Sequence, residues 1–242
     1  MGFYEPRLYR LDARPEKLVA FKVEIKESDL LIFAEKNLEK EALNELLRVR
    51  GEIESWISIY PEFYASLTPL SLPAATSVPE VVKEMYDASR KAGVGPMAAV
   101  AGAVAEAVGR RLLEFSREVI VENGGDIFCY SLKERYSLVY AGKSPFSKKI
   151  ALRIPQGKLV GICTSSGTVG HSLSFGKADA VVVLDENAAL ADAAATAIGN
   201  VVRNADDIER GIKRAAEIGV GGVLIIVGDK LGAWGEVELE AI

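Results

Sequence analysis

Between residues 118 and 184, six short runs rich in apolar and β-branched residues follow one another, at 118–121, 127–132, 138–141, 150–154, 159–164 and 180–184. Only clusters of Gly, Ser, Lys and Asn separate them. A small-residue helix is expected from about residue 188, another over 205–217, and two further strands near 223–227 and 233–239. Strands joined consecutively by short links, with the helices grouped, argue for an α+β fold of mainly antiparallel sheet rather than a doubly wound one.

The N-terminal part agrees with this. Phe21, Val23 and Ile25 alternate with Lys22, Glu24 and Lys26, and the turn at Glu27-Ser28-Asp29 leads into Leu30-Leu31-Ile32-Phe33, which reads as a hairpin with one wet face. After Asn37, an expected N-cap, Leu43, Leu46, Leu47, Ile53, Trp56, Ile57 and Tyr60 recur at helical spacing until Pro61 stops the pattern. The four prolines over 61–79 predict an irregular crossing. Ser77 and Glu80 have capping-box spacing before a helix that Gly93 ends, and a helix rich in Ala and Gly follows over 97–115. The expected organisation is a single domain over 1–242, with any division into lobes at a seam near 61–79.

Composition narrows the chemistry. The chain has 242 residues, 49% hydrophobic and 26% charged, with a net charge of −5. That suits a globular protein and disfavours a sequence-independent grip on nucleic acid, which needs a basic face. No apolar stretch reaches the roughly 20 residues that span a bilayer, and the start carries no secretory pattern, so no membrane association and a cytoplasmic location are expected. Cys129 and Cys163 each lie in an apolar run and read as buried free thiols rather than a disulfide or a zinc site. With one histidine in the chain, a three-His metal centre is excluded.

Three clusters can carry chemistry. Glu122-Asn123-Gly124-Gly125-Asp126 joins two strands; as structure it is a type I′ turn, and as a site its glycines let a ligand approach the backbone beside Asp126. The stretch Thr164-Ser165-Ser166-Gly167-Thr168-Val169-Gly170-His171-Ser172 combines five hydroxyls, flexible backbone and the imidazole. Such a loop can present N–H groups to an anion or pair a base with a hydroxyl; the plain alternative is a solvated loop. Asp192 and Thr196 sit one helical turn apart on the helix expected from about residue 188, about 5–6 Å from each other at Cβ. A carboxylate and an alcohol so placed suit Mg²⁺ or Ca²⁺, while a helix-dipole Asp and a back-bonded Thr are the structural alternative. Gly93-Val94-Gly95-Pro96-Met97-Ala98 matches a relaxed dinucleotide fingerprint, but it follows a helix rather than a strand and so reads as a helix cap.

In this order the clusters resemble the ApbE family of flavin transferases, and more closely a branch of that superfamily found in archaea and anaerobic bacteria. The resemblance covers roughly residues 95–199, and its most specific part is Ala191-Asp192-x-x-Ala195-Thr196. It implies a T-fold-like arrangement around antiparallel sheet, FAD as substrate, and Mg²⁺-dependent transfer of FMN onto a Thr or Ser of a target protein. By the same resemblance Asp192 and Thr196 would be Mg²⁺ ligands, helped by a backbone carbonyl near Ala98, and His171 the base. Gly124, Gly125 and Asp126, with Thr164, Ser165, Ser166, Gly167 and Thr168, would border the flavin. Where the enzymes carry Lys-Gly this sequence has Ala101-Gly102, so a cation for the FAD phosphates is missing. Losing one charge-assisted phosphate contact costs about 1.5–3 kcal/mol, tenfold or more in affinity.

Two functional classes are open on these grounds. One is a Mg²⁺-dependent nucleotide or flavin enzyme; the other is a non-catalytic protein binding a small nucleotide or anion, or an accessory protein, with anaerobic sulfur metabolism as the setting the resemblance suggests. A serine hydrolase using Ser165 or Ser166 with His171 is weak, since no G-x-S-x-G elbow is present. The implied fold and the apolar run 219–228 suggest a homo-oligomer, though a core strand accounts for that run equally well.

Overall fold

The structure, a computed structural model, describes residues 17–74, 77–167 and 176–242. Strands β1 (Val19–Ile25) and β2 (Ser28–Ala34) form the expected hairpin, followed by α1 (Glu39–Ile59), a single turn α2 (Glu62–Ala65), α3 (Glu80–Ala92) and α4 (Val100–Leu112), which a 3₁₀ turn at Pro96–Ala99 introduces. Next come β3 (Val119–Asn123), β4 (Asp126–Tyr130), β5 (Arg135–Leu138), β6 (Ile150–Ile154), β7 (Leu159–Ser165) and β8 (Ala180–Asp185). Helices α5 (Ala188–Val201) and α6 (Ile208–Ile218) precede β9 (Gly222–Val227), β10 (Lys230–Gly235) and β11 (Leu239–Ala241).

Eight strands form one sheet in the order β1-β2-β3-β4-β7-β8-β9-β10, and β11-β6-β5 form a smaller one. Every pairing in both is antiparallel, as the short links between strands require. The helices share one face of the large sheet. Side chains alternate across a strand, so Phe128, Cys163, Val181, Val183, Val223 and Ile225 join the helical core. Their neighbours Cys129, Val160, Ile162, Val182, Leu184 and Leu224 join a second core beneath the small sheet. Both cysteines are free and buried, on opposite faces of the large sheet.

Local chemistry shifts several expected details. Asn37 stands one residue outside the N-cap of α1, where its Oδ1 accepts from the Glu39 amide at 2.9 Å. The buried stripe of that helix is Ala42, Leu46, Val49, Ile53 and Trp56, and Leu43 and Leu47 are exposed. Pro79 takes the N-cap position of α3 without a side-chain hydrogen bond, so Ser77 and Glu80 form no capping box. The strand expected at 138–141 lies earlier, at Arg135–Leu138, paired with Ile154–Ala151; just beyond it the Val139 carbonyl accepts from the Lys148 amide at 2.9 Å.

Candidate functional site

The glycine turn comes first. Asn123 pairs with Asp126 across the hairpin, leaving Gly124 at φ 70° and Gly125 at φ 104° as its two central residues. Two consecutive positive φ values define a type I′ turn and are strained for L side chains, so the Gly-Gly pair belongs there. The turn is tied from both sides: the Gly125 amide donates to Glu122 Oε1 at 2.7 Å, and Asn123 Nδ2 donates to the Ala101 carbonyl at 3.1 Å.

Asp126 opens β4 on the helical face. Ile127 pairs with Ile162, so the antiparallel register places Asp126 opposite Cys163 on β7. Its Oδ1 accepts from the Thr164 amide at 3.2 Å. The Cys163 thiol donates to the Ala188 carbonyl at 3.3 Å. Ala188 lies one turn before Asp192 on α5, so the register of the sheet and the turn of the helix bring both aspartates to the same place.

Helix α5 comes unusually close to both β7 and α4. A Cβ on Gly102 would stand 2.2 Å from the Ala188 carbonyl oxygen and 2.9 Å from Asp192 Cβ, and a Cβ on Gly161 would stand 2.5 Å from Ala188 Cα. That approach lets Asp192 Oδ2 accept from the Gly102 amide at 2.9 Å, one of the donors that the first turn of α4 leaves unpaired. A second carboxylate supports the opposite end of the junction: buried Glu106 accepts from the Ala188 amide at 2.6 Å and from Arg110.

The electrostatics are a consequence of this crowding. Burial pushes Asp192 up to about 7, against the pull of the Gly102 and Ala101 amides. Burial and then the Asp192 charge hold Asp126 well above the usual carboxylate range. Burial, with both carboxylates beside it, raises the Cys163 thiol well above its ordinary value.

The positions expected from sequence fall into two groups. Gly124, Gly125, Asp126 and Asp192 converge at one end of β3, β4 and β7. Thr196 is half-buried, as Asp192 is, one turn further along α5, and Ala98 lies in the 3₁₀ turn that packs against that helix. Ser165 is 3% exposed and faces the helical side, one pleat beyond Cys163. Among the described residues, its Oγ has no hydrogen-bond partner. Thr164 presents its amide to Asp126, while its side chain is on the opposite face. Ser166 and Gly167 come next, and the Gly167 amide bonds to the Ala178 carbonyl at 3.0 Å. Thr168 and His171 lie outside the described residues. Asn123, Cys163 and the Gly102 amide are participants that sequence reasoning did not assign; only the Asn beside Gly-Gly carried a readable signal.

The oxygen donors here, the Asp126 and Asp192 carboxylates and the Thr196 alcohol one turn on, are of the kind that hard divalent cations prefer. Among the described residues no three His, Cys, Asp or Glu side chains are gathered so as to hold a metal. Two surface hollows lie elsewhere, about 410 Å³ at the start of α1 and about 320 Å³ between Arg153, Lys158 and residues 235–238. No single helix among the described residues is long and apolar enough to cross a membrane.

The fold, an antiparallel sheet with helices on one face, is shared with the ApbE flavin transferases. The chain matches the flavin transferase ApbE from Vibrio cholerae with a TM-score of 0.61 at 16% identity, over 91% of this chain and 97% of that one. It matches the flavinyl transferase ApbE from Pseudomonas stutzeri, in its apo form, with a TM-score of 0.60 at 14% identity, over 90% and 94%. The chain itself belongs to the family described as "AbpE bacteria", whose model matches residues 11–221. Its relatives include a "UPF0280 protein" of Methanococcus aeolicus, 42% identical over 203 residues and 81% of each chain. Another, from Methanocella arvoryzae, is 39% identical over 219 residues, 89% of this chain and 88% of its own.

Proposed function

We propose that this chain binds a flavin nucleotide together with Mg²⁺ at the end of β4, β7 and α5, and that its chemistry is transfer of FMN from FAD to a hydroxyl acceptor. The observation that carries this reading is the convergence of Asp192, the Gly124-Gly125 turn and Asp126, three separately expected features, on one place in an ApbE fold. Asp192, Thr196 and the Ala98 carbonyl would hold the cation, which when bound neutralises phosphate charge. The glycine turn allows a flat ring or a phosphate to touch backbone, and the amides of the 164–168 stretch are suited to anionic oxygens. His171 takes the acceptor hydroxyl's proton in this reading, and AMP leaves as the phosphoryl–phosphate linkage of FAD breaks.

A second reading is favoured by one specific feature. Ala101 stands where the resembled enzymes supply a lysine, and its carbonyl is occupied by Asn123. A site without that cation suits binding of a nucleotide or anion without turnover. Titration with FAD, FMN, ADP and ATP, with and without Mg²⁺, followed by flavin fluorescence and thermal shift, tests both. A melting temperature raised by FAD only when Mg²⁺ is present supports a joint site, and AMP release with a Ser/Thr peptide acceptor selects the enzyme. If no nucleotide raises it in either condition, both readings fail.

A further inference from the structure

We infer that Asn123 is a positioning residue of the proposed site: it ties the Gly124-Gly125 turn to Asp192 through a single peptide group, the one joining Ala101 to Gly102, so that turn and carboxylate meet a ligand at one fixed spacing. For its ligand this rests on the nucleotide reading given above. The argument begins with the side chain. Asn123 closes β3 on the face that Val119 and Val121 turn toward the helices, and it is 6% exposed. An amide buried there costs free energy unless it is bonded. Its Nδ2 donates to the Ala101 carbonyl at 3.1 Å, and its backbone flanks the glycine turn opposite Asp126.

The same peptide group is gripped from its other end. The Gly102 N–H lies in one plane with the Ala101 carbonyl and points away from it, and it donates to Asp192 Oδ2 at 2.9 Å. Successive hydrogen bonds polarise one another, so a donor on the Ala101 carbonyl makes the Gly102 N–H a better donor in turn. Asn123 therefore strengthens the bond that holds Asp192, as well as fixing where it forms. Two features show that the link is built into the fold. Ala99, at the N-cap of α4, gives no side-chain hydrogen bond, and Asp192 supplies from α5 the acceptor that a capping side chain would offer the third amide of the helix. Gly102 also has no room for a side chain, since a Cβ there would stand 2.2 Å from the Ala188 carbonyl oxygen and 2.9 Å from Asp192 Cβ. The turn is braced at its own end by the Gly125 amide on Glu122 Oε1 at 2.7 Å. Outer hydrogen bonds of this kind orient the groups that touch a ligand, and a spacing set in advance lowers the ordering cost of binding.

The test is a double-mutant cycle on the full chain: wild type, Asn123→Ala, Asp192→Ala and the pair, each titrated calorimetrically with FAD in the presence of MgCl₂. Asn123→Ala should weaken FAD binding roughly tenfold, and the double variant should bind no worse than Asp192→Ala alone. Losses that multiply would mean two independent groups and overturn the assignment. If wild type binds no FAD, the nucleotide reading falls and the ligand-free chain decides the link by itself. In urea denaturation the double variant should then lose less stability than the two single losses added together, and additive losses overturn it. Because alanine at 123 can impair folding, Asn123→Leu, close in volume and without a donor, supplies a second measurement. In its ¹H–¹⁵N spectrum the Gly102 amide proton should move upfield as its bond to Asp192 weakens, which loss of packing alone does not require. A Gly102 resonance left in place or moved downfield overturns the assignment.

Discussion

Outside the site, Glu84 is an acidic side chain whose burial makes stability depend on pH. Half-buried on α3, it is pushed up to about 7 by desolvation first and by the Glu106 charge second, with Arg110 offsetting only part. Because the folded value lies above the unfolded one, the native state binds the extra proton. Its contribution is therefore fully present below about pH 4.5 and is lost as pH rises through 7. Glu84→Gln should flatten that slope, leaving stability unchanged near pH 4 and raising it by the order of 1–2 kcal/mol at pH 8 once solvent screening is allowed for. Urea denaturation of both proteins at the two pH values measures this; an equal loss between pH 4 and 8 in wild type and variant would refute it. The cysteines titrate outside that window, since burial lifts Cys129 to about 12 and Cys163 also well up.

At the scale of elements, the junction of α4 with α5 decides whether Asp192 is in place. Asn187 caps α5 through the Leu190 amide at 2.7 Å, and Glu106 takes the Ala188 amide at 2.6 Å, so two of the helix's unpaired donors are satisfied. Glu106→Ala leaves a buried N–H unpaired and should cost about 2–4 kcal/mol. Glu106→Gln keeps an acceptor and should cost less, both read by chemical denaturation; equal losses would show that the amide contact contributes nothing. This junction also marks the limit of what the sequence discloses. The hairpin of β1 and β2, the stop of α1 at Pro61 and the type I′ turn at Gly124-Gly125 were legible because each depends on local periodicity or turn chemistry. So was the pairing of Asp192 with Thr196 on one helix face. The placing of Asp126 opposite Cys163 and of Asp192 against Gly102 was not, since it arises from the register of β4 against β7 and the approach of α5 to Gly102. Neither leaves a mark in spacing along the chain.

For the whole molecule, the irregular crossing at 61–79 poses the question of whether the N-terminal hairpin and α1 fold together with the rest of the chain. The strands give an argument for unity. Residues Leu30 to Ala34 of β2 pair with Asn123 to Val119 of β3, so the N-terminal hairpin is stitched into the large sheet from the far side of the crossing. Helix α1 packs on α4 as well as on β1. Strands β4, β7, β8 and β9 then send alternate side chains into both cores, so neither core can loosen without disturbing the sheet they share. Leu152, 1% exposed beneath the small sheet, and Trp56, 4% exposed on α1, belong to opposite cores and opposite sides of the crossing. In a Trp234→Phe background, Trp56 is the one tryptophan left of the two in the chain. Leu152→Ala should then cost about 2–5 kcal/mol and shift the Trp56 fluorescence midpoint by as much as the far-UV circular dichroism midpoint. A Trp56 transition that stays at its original denaturant concentration while the dichroism moves would mean two lobes that unfold separately, and the sheet pairing of β2 with β3 would then be too weak to couple them.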